Sequence, residues 1–401
     1  MSSSGFARRT FLRRSLGLGL GAGAWAGGPF GPAAGPFAPS PAAAQPAPGG
    51  EPAEPTPAER TAMAATARAF MQTYAVPGFS VAVGHAGALI YQDAFGLADR
   101  DKGEPLTPMH LFRIASVSKP ITSVAVFSLI EQGRLRLTDR VFGPGGVLGT
   151  DFGGPPYRPQ VDQITLEHLL THTGGGWSKD HDDPMFMNAG MNHAQLIGWV
   201  LRNRSLDHPP GQSYAYSNFG YCVLGRVIEK VARQGYAAFV GDAVLKRCGI
   251  ADMTIAGNTL AQRRRGEVAY YGQGNENPYG MNVARMDSHG GWIARPADLV
   301  RFAMHVDGLS APNILKPDTI RSMTTASSAN AGYAKGWAVN RANNWWHNGS
   351  LPGTSTIMVR THGGFCWAAF INTRRSDSAL DGDLDQLIWR MAAQVKGWHV
   401  A

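Results

Sequence analysis

Apolar positions along the chain repeat with two different periods, and the period changes along the sequence. Residues 58 to 73 carry apolar side chains at helical spacing, and the two runs that follow, GFSVAVGH and ALIYQDAFG, read as strands joined at Ala86-Gly87 into a hairpin. The stretch SVSKPITSVAVFSLIEQG, beginning at Ser116, is apolar for too long to be a strand and predicts a buried helix with Gly133 at its C-terminal end. Pro120 sets the start of that helix. A residue without an N–H is tolerated only in the first turn, so the helix begins within a few residues of Ser116.

From 126 to 284 the pattern is helical (TLEHLLTHT, AQLIGWVLRNR, FGYCVLGRVIEKVARQG), interrupted by Gly/Pro loops and with little period-two alternation. Strand signals return in AKGWAVNR, GTSTIMVR and FCWAAFINT, the last two joined at Thr361-His362-Gly363-Gly364, and a closing helix follows near 379 to 396. Strands at both ends with helices between them imply one sheet shared by the N- and C-terminal segments. The expected fold is therefore α/β (α+β), an antiparallel sheet flanked by helices. Residues 58–125 and 285–401 form the sheet lobe and 126–284 an inserted all-helical lobe, with a ligand cleft between them. No repeat of about 20 to 50 residues is visible, which excludes a solenoid.

The N-terminus changes the picture of the charge. Residues 1–44 carry Arg8-Arg9, then Phe11-Leu12 and a weakly apolar Gly/Ala/Leu stretch, and resemble a twin-arginine export signal with a small-residue cleavage site at Ala42-Ala43-Ala44. The twin-arginine export machinery is then a partner, and the mature protein, starting near Gln45, is periplasmic or secreted. It touches a membrane only if the signal is retained. Residues 45–57 (QPAPGGEPAEPTP) lack aliphatic bulk and read as a tether. Of the 37 basic residues four lie in the signal, which holds no acid, so the formal +8 of the whole chain falls to about +4 against 29 acidic residues. That removes the main support for nucleic-acid binding. The run Arg263-Arg264-Arg265 reads as a solvated loop.

Cys222, Cys248 and Cys366 each sit among apolar neighbours with no C-x-x-C spacing. They are expected to be buried and inert, with a Cys222–Cys248 bridge left open after export. Lys179-Asp180-His181-Asp182-Asp183 has metal-ligand residue types but loop spacing, and no metal or cofactor is expected. No G-x-S-x-G elbow, G-x-x-x-x-G-K loop or H-E-x-x-H occurs, which counts against an α/β-hydrolase, a P-loop NTPase and a zincin.

Three elements carry chemistry. Ser116-Val117-Ser118-Lys119 is the one S-x-x-K in the chain, and three-residue spacing on a helix stacks hydroxyl and amine on one face. A hydroxyl needs a base to become a nucleophile, and lysine can serve where burial or a nearby cation favours its neutral form. The positive end of the helix would favour a developing oxyanion. A four-residue pattern of this kind also arises by chance, and a capping serine followed by a surface lysine would look the same. Tyr216-Ser217-Asn218, the one Y-x-N, precedes a predicted helix that Asn218 could simply cap. His347-Asn348-Gly349-Ser350 falls on an expected edge strand, although H-x-G also begins at His85, His172, His289 and His362. Of these, His172 reads as a structural residue at a helix end. Trp345 and Trp346, beside the third element, could line a pocket or a core.

S-x-x-K, Y-x-N and H-x-G in this order resemble the serine β-lactamase and D-alanyl-D-alanine peptidase superfamily, in its class C-like branch, from about residue 60 to 395. FRIASVSKPIT, LEHLLTHTGG, PGQSYAYSNFGY, GGWIARPADLVRF and HNGSLPGTS are similar to segments habitual in that family. The resemblance implies that Ser116 attacks a carbonyl while Lys119 and Tyr216 share its proton, and that water releases the resulting acyl-enzyme. It implies an oxyanion hole of the Ser116 and Ser350 N–H groups, with Asn218, His347 and Gly349 contacting a small-molecule or peptide substrate. H-x-G in place of Lys-Thr-Gly removes a fixed cation, and is similar instead to some D-Ala-D-Ala carboxypeptidases, D-aminopeptidases and esterases. The expected function is therefore ester or amide hydrolysis with β-lactamase activity minor or absent. The alternative is a penicillin-recognising binding or sensory protein with negligible turnover.

Overall fold

A computed structural model describes residues 54–178, 182–309, 312–375 and 379–398. The expected signal and nearly all of the tether lie outside the described residues. Helix α1 (Pro57–Tyr74) opens on a capping box, in which the Thr56 hydroxyl accepts from Glu59 N–H at 3.3 Å and the Glu59 carboxylate accepts from Thr56 N–H at 2.8 Å. The helix thus begins one residue inside the segment read as tether, because Pro57 suits its first position.

The chain continues through β1 (Gly78–His85) and β2 (Ala88–Asp99), turning at Ala86 and Gly87, which both have positive φ, then β3 (Glu104–Pro105) and β4 (Phe112–Arg113). A single 3₁₀ turn, Ala115–Val117, leads into α2 (Ser118–Glu131). The middle holds α3 (Leu166–Leu170), α4 (His193–Asn203), α5 (Asn218–Ala232) and α6 (Tyr236–Val240), with the two-residue strands β5 (Thr254–Ile255) and β6 (Tyr271–Gly272). There follow β7 (Trp292–Ala294), α7 (Pro296–Val306), α8 (Pro317–Thr324), β8 (Ala338–Val339), β9 (Trp345–Leu351), β10 (Thr354–Arg360), β11 (Phe365–Ile371), β12 (Thr373–Arg374) and α9 (Ala379–Ala392).

Seven strands form the main antiparallel sheet in the order β3-β2-β1-β11-β10-β9-β8, so strands from the two ends of the chain meet where β1 pairs with β11. Both faces of that sheet are covered, which is why its central strands are apolar runs and not alternating ones. Cys366, Ala368 and Phe370 of β11 point into the larger core with α2, α5 and α7. Phe365, Trp367, Ala369 and Ile371 of the same strand point into a second core with α1 and α9.

Two expectations need correction. AKGWAVNR contributes only Ala338–Val339 to the sheet, because the chain turns at Gly336, whose φ is +87°. The middle segment also contributes strands, β5 pairing with β7 and β6 with β12, in ladders of two residues that are too short to show a period. Trp345 and Trp346 line cores: Trp345 is buried beside Trp337 with the Arg360 guanidinium 4.3 Å from its ring, and Trp346 packs on the opposite core. The three cysteines are free and buried; burial pushes the Cys222 and Cys248 thiols up to about 12, and Cys366 well above its ordinary value. Arg263 reaches the Asp99 carboxylate at 3.0 Å, so one member of the basic run is paired.

Candidate active site

Between Leu111 and Leu129 every residue is buried except Ser116, which keeps partial access to solvent. Its position is set by the strained residue before it. Ala115 has φ +48°, and Ile114 is tied on both sides, its N–H donating to Trp292 O at 3.0 Å and its carbonyl accepting from Thr356 Oγ1 at 2.8 Å. β9 lies against this turn. A Cβ on Gly349 would stand 2.2 Å from Ile114 O and 2.5 Å from Thr356 Oγ1, so the glycine of H-x-G is what lets the strand approach the serine. β8 covers only Trp345 and Trp346, so among the described strands β9 has an open edge from His347 onward, the direction of Ser350.

Lys119 is buried and its Nζ hydrogen-bonds Ser116 Oγ at 2.9 Å, Asn218 Oδ1 at 2.7 Å and His289 O at 3.1 Å. The last two partners can only accept. A neutral amine has two hydrogens, enough for both, and its lone pair then points at Ser116. In this geometry, losing one proton converts the donor at the serine into a base. The ammonium form is stabilised by the Tyr216 ring at 4.7 Å and the Tyr221 ring at 5.7 Å.

Tyr216 shares a hydrogen bond with the Ser116 side chain, and desolvation raises its hydroxyl well above the ordinary phenol range despite that bond. It therefore stands in the site as a neutral phenol, able to pass a proton on rather than to hold a negative charge. The structure thus brings Ser116, Lys119, Tyr216 and Asn218 together, with the ring of His347 6.3 Å from that of Tyr216.

Asn218 also has partners inside the protein. Its Oδ1 takes Lys119, and its side chain also hydrogen-bonds Asp183, whose Oδ2 accepts the Asn218 N–H at 2.7 Å and whose Oδ1 accepts Met185 N–H at 3.0 Å. Both ends of the amide thus have partners within the protein: its oxygen holds the lysine, and the bond to Asp183 uses one of the two Nδ2 hydrogens. The cap of α5 is Ser217, whose Oγ accepts from Gly220 N–H at 3.0 Å, and not Asn218.

Sequence reasoning missed Asp183 as a member of this site. Burial pushes its carboxyl up to about 6, against the pull of two backbone N–H groups and Lys119. Its only signal in the sequence is the run 179–183, of which Lys179, Asp180 and His181 lie outside the described residues. Two alternative H-x-G histidines also lie at the site, through other atoms. His289 supplies its carbonyl to Lys119, and burial drives its ring well below the usual range. His172 follows the C-cap residue of α3 with φ +57°, and its ring centroid lies 4.2 Å from that of Tyr216. His85 instead meets Gly363 O at 3.2 Å.

Comparison with known proteins gives matches over most of the chain. The family model described as Beta-lactamase matches residues 63–388. Penicillin-binding protein 4* of Bacillus subtilis (strain 168) is 26% identical over 307 residues, which cover 70% of this chain and 64% of that protein. The chain spans 57 to 64% of the length of the curated relatives it matches. Among solved structures, D-amino acid amidase from Ochrobactrum anthropi SV3 with L-phenylalanine amide superposes with a TM-score of 0.69 at 19% identity, over 84% of this chain and 98% of that one. EstCE1, described as a hydrolase with promiscuous acyltransferase activity, gives 0.66 at 19% identity over 84% and 99%. At such identity these two likenesses show the fold alone.

Proposed function

The chain belongs to the Beta-lactamase family of serine hydrolases, and from that premise we propose that it is an exported enzyme cleaving an ester or amide through an acyl-enzyme on Ser116. The observation that carries the reading is the coordination of Lys119, whose two acceptor-only partners leave a neutral amine one direction for its lone pair, toward Ser116 Oγ 2.9 Å away. In the first step Lys119 takes the hydroxyl proton as Ser116 Oγ bonds to the acyl carbon. The oxyanion accepts from the Ser116 and Ser350 N–H groups, and as Tyr216 gives its proton to the leaving alkoxide or amine, the proton held by Lys119 replaces it, so that both end the step neutral. In the second step water attacks the acyl carbon, gives its proton to the same pair, and Ser116 leaves as the alcohol. His347 and Gly349 border the substrate.

Substrates without a carboxylate beside the scissile bond suit this cleft, because its third element presents an imidazole where a fixed ammonium would otherwise stand. Export rests on the Arg8-Arg9 signal; among the described residues no helix is long and apolar enough to cross a membrane. The mature protein, tested with a p-nitrophenyl acyl ester and with benzylpenicillin, should turn over the ester many times and form no adduct lasting hours with the penicillin. A lasting penicillin adduct without ester turnover would instead make the protein a binder.

A further inference from the structure

The third motif is not isolated in the fold. His347 Nε2 lies 3.2 Å from the Tyr333 hydroxyl, and the same hydroxyl lies 3.2 Å from His172 Nε2, so one phenol joins two imidazoles inside the protein. All three residues are buried. At the outer ends of this chain backbone groups decide where the protons go. Ser217 N–H donates to His172 Nδ1 at 3.1 Å, so a neutral His172 carries its hydrogen on Nε2 and donates it to the Tyr333 oxygen. His347 Nδ1 faces Asn348 O at 2.6 Å; a carbonyl only accepts, so His347 carries its hydrogen on Nδ1 and keeps the Nε2 lone pair. The Tyr333 hydrogen has that lone pair as its acceptor. Ser217 N–H, His172, Tyr333, His347 and Asn348 O then form one directional series, with the two histidines in opposite tautomers.

We propose that Tyr333, with His172 behind it, is a positioning residue that holds His347 as a neutral Nδ1–H imidazole at the edge of the cleft. This inference rests on the hydrolase reading for its consequence in catalysis, but not for its structural content. Ser217 and His172 connect the series to the segment that carries Tyr216, so the second and third motifs are locked by a common set of hydrogen bonds. Facing the His347 ring are, among others, Tyr216 from the loop before α5 and Tyr333 from the turn before β8, with Lys119 of α2 behind the Tyr216 ring and the apolar Met358 opposite on β10. The competing arrangement is also defined by the structure. The Tyr333 hydroxyl is also within hydrogen-bond reach of Tyr221, whose own hydrogen goes to Leu170 O at 2.8 Å and whose oxygen is free to accept in place of His347. If His347 were an imidazolium, the Tyr333 hydrogen would turn to Tyr221.

The test is a long-range ¹H–¹⁵N spectrum of the histidine-labelled mature protein at about pH 8, assigned with His347→Ala and His172→Ala, together with ester kinetics of Tyr333→Phe. The expected result is one histidine in each neutral tautomer, His347 protonated at Nδ1 and His172 at Nε2, and a shift of the His347 Nε2 resonance in Tyr333→Phe. kcat/KM for the ester should fall about tenfold in Tyr333→Phe, with no further fall when the same change is made in His347→Ala, because Tyr333 acts through His347. A charged His347, or both rings in the same tautomer, overturns the proposal even in a protein with no esterase activity. Additive losses in the double variant overturn it in an active one, since they would mean that Tyr333 merely supports the fold.

Discussion

At Gly349 the site leaves no room for even one added carbon, since a Cβ there would stand 2.2 Å from Ile114 O and 3.1 Å from the Ala115 Cβ. Gly349→Ala must push β9 away from the turn that presents Ser116. It should lower thermal stability by about 1 to 3 kcal/mol, as overpacking in a close-packed site does, and reduce ester turnover by more than the stability loss explains. Melting curves beside initial rates check this. Asp183 makes a prediction in pH. Its carboxyl is raised from 3.8 to about 6 in the folded chain, so the folded state binds a proton more tightly than the unfolded state, and the wild type loses stability as pH rises between those values. The loss is at most about 3 kcal/mol, from roughly 1.4 kcal/mol per unit. Asp183→Asn removes the titration, so the stability of the variant relative to wild type should improve from about pH 4 to about pH 7 by up to that amount. A constant difference across the range contradicts the assignment of the shift to this residue.

At the scale of elements, one side chain makes four hydrogen bonds to the loop that carries Asp183. The Arg285 guanidinium donates to Met185 O and Met187 O through Nη2 and to Asn188 O and Met191 O through Nη1, at 2.7 to 3.2 Å. Through Asp183 and Asn218 the same loop reaches Lys119. Arg285→Leu should therefore release the segment 182–191, seen as faster amide exchange and earlier proteolytic cleavage there. It should lower kcat/KM by about one to two orders of magnitude, in line with about 1.5 to 3 kcal/mol for charged hydrogen bonds. Unchanged exchange in that segment would show that the loop is held by other contacts.

At the scale of the molecule, what was legible in the sequence were features with a local physical cause. Pro120 and Gly133 bracket α2, Ala86-Gly87 turns the first hairpin, and the apolar runs at both chain ends meet as β1 and β11. The meeting of Ser116, Lys119 and Tyr216 was legible because three short patterns stand in a fixed order. Residues that act through long-range contacts carried no such signal. Tyr333 is a lone tyrosine in a turn, His172 belongs to a helix end, and Asp183 sits in an acidic run, and each acquires its place only when strands and helices some 14 to 161 positions apart come together. The two-residue strands were likewise illegible, since two positions define no period.

The central claim is that Lys119 is the group that removes the Ser116 proton. The most direct measurement is labelling of the mature protein by a fluorophosphonate, with the modified peptide located by mass spectrometry, in wild type, Ser116→Ala and Lys119→Ala. The account predicts a single adduct on Ser116 in the wild type, none in Ser116→Ala, and labelling slowed by at least about a hundredfold in a Lys119→Ala protein that still melts cooperatively. A folded Lys119→Ala protein that labels at the wild-type rate would contradict it.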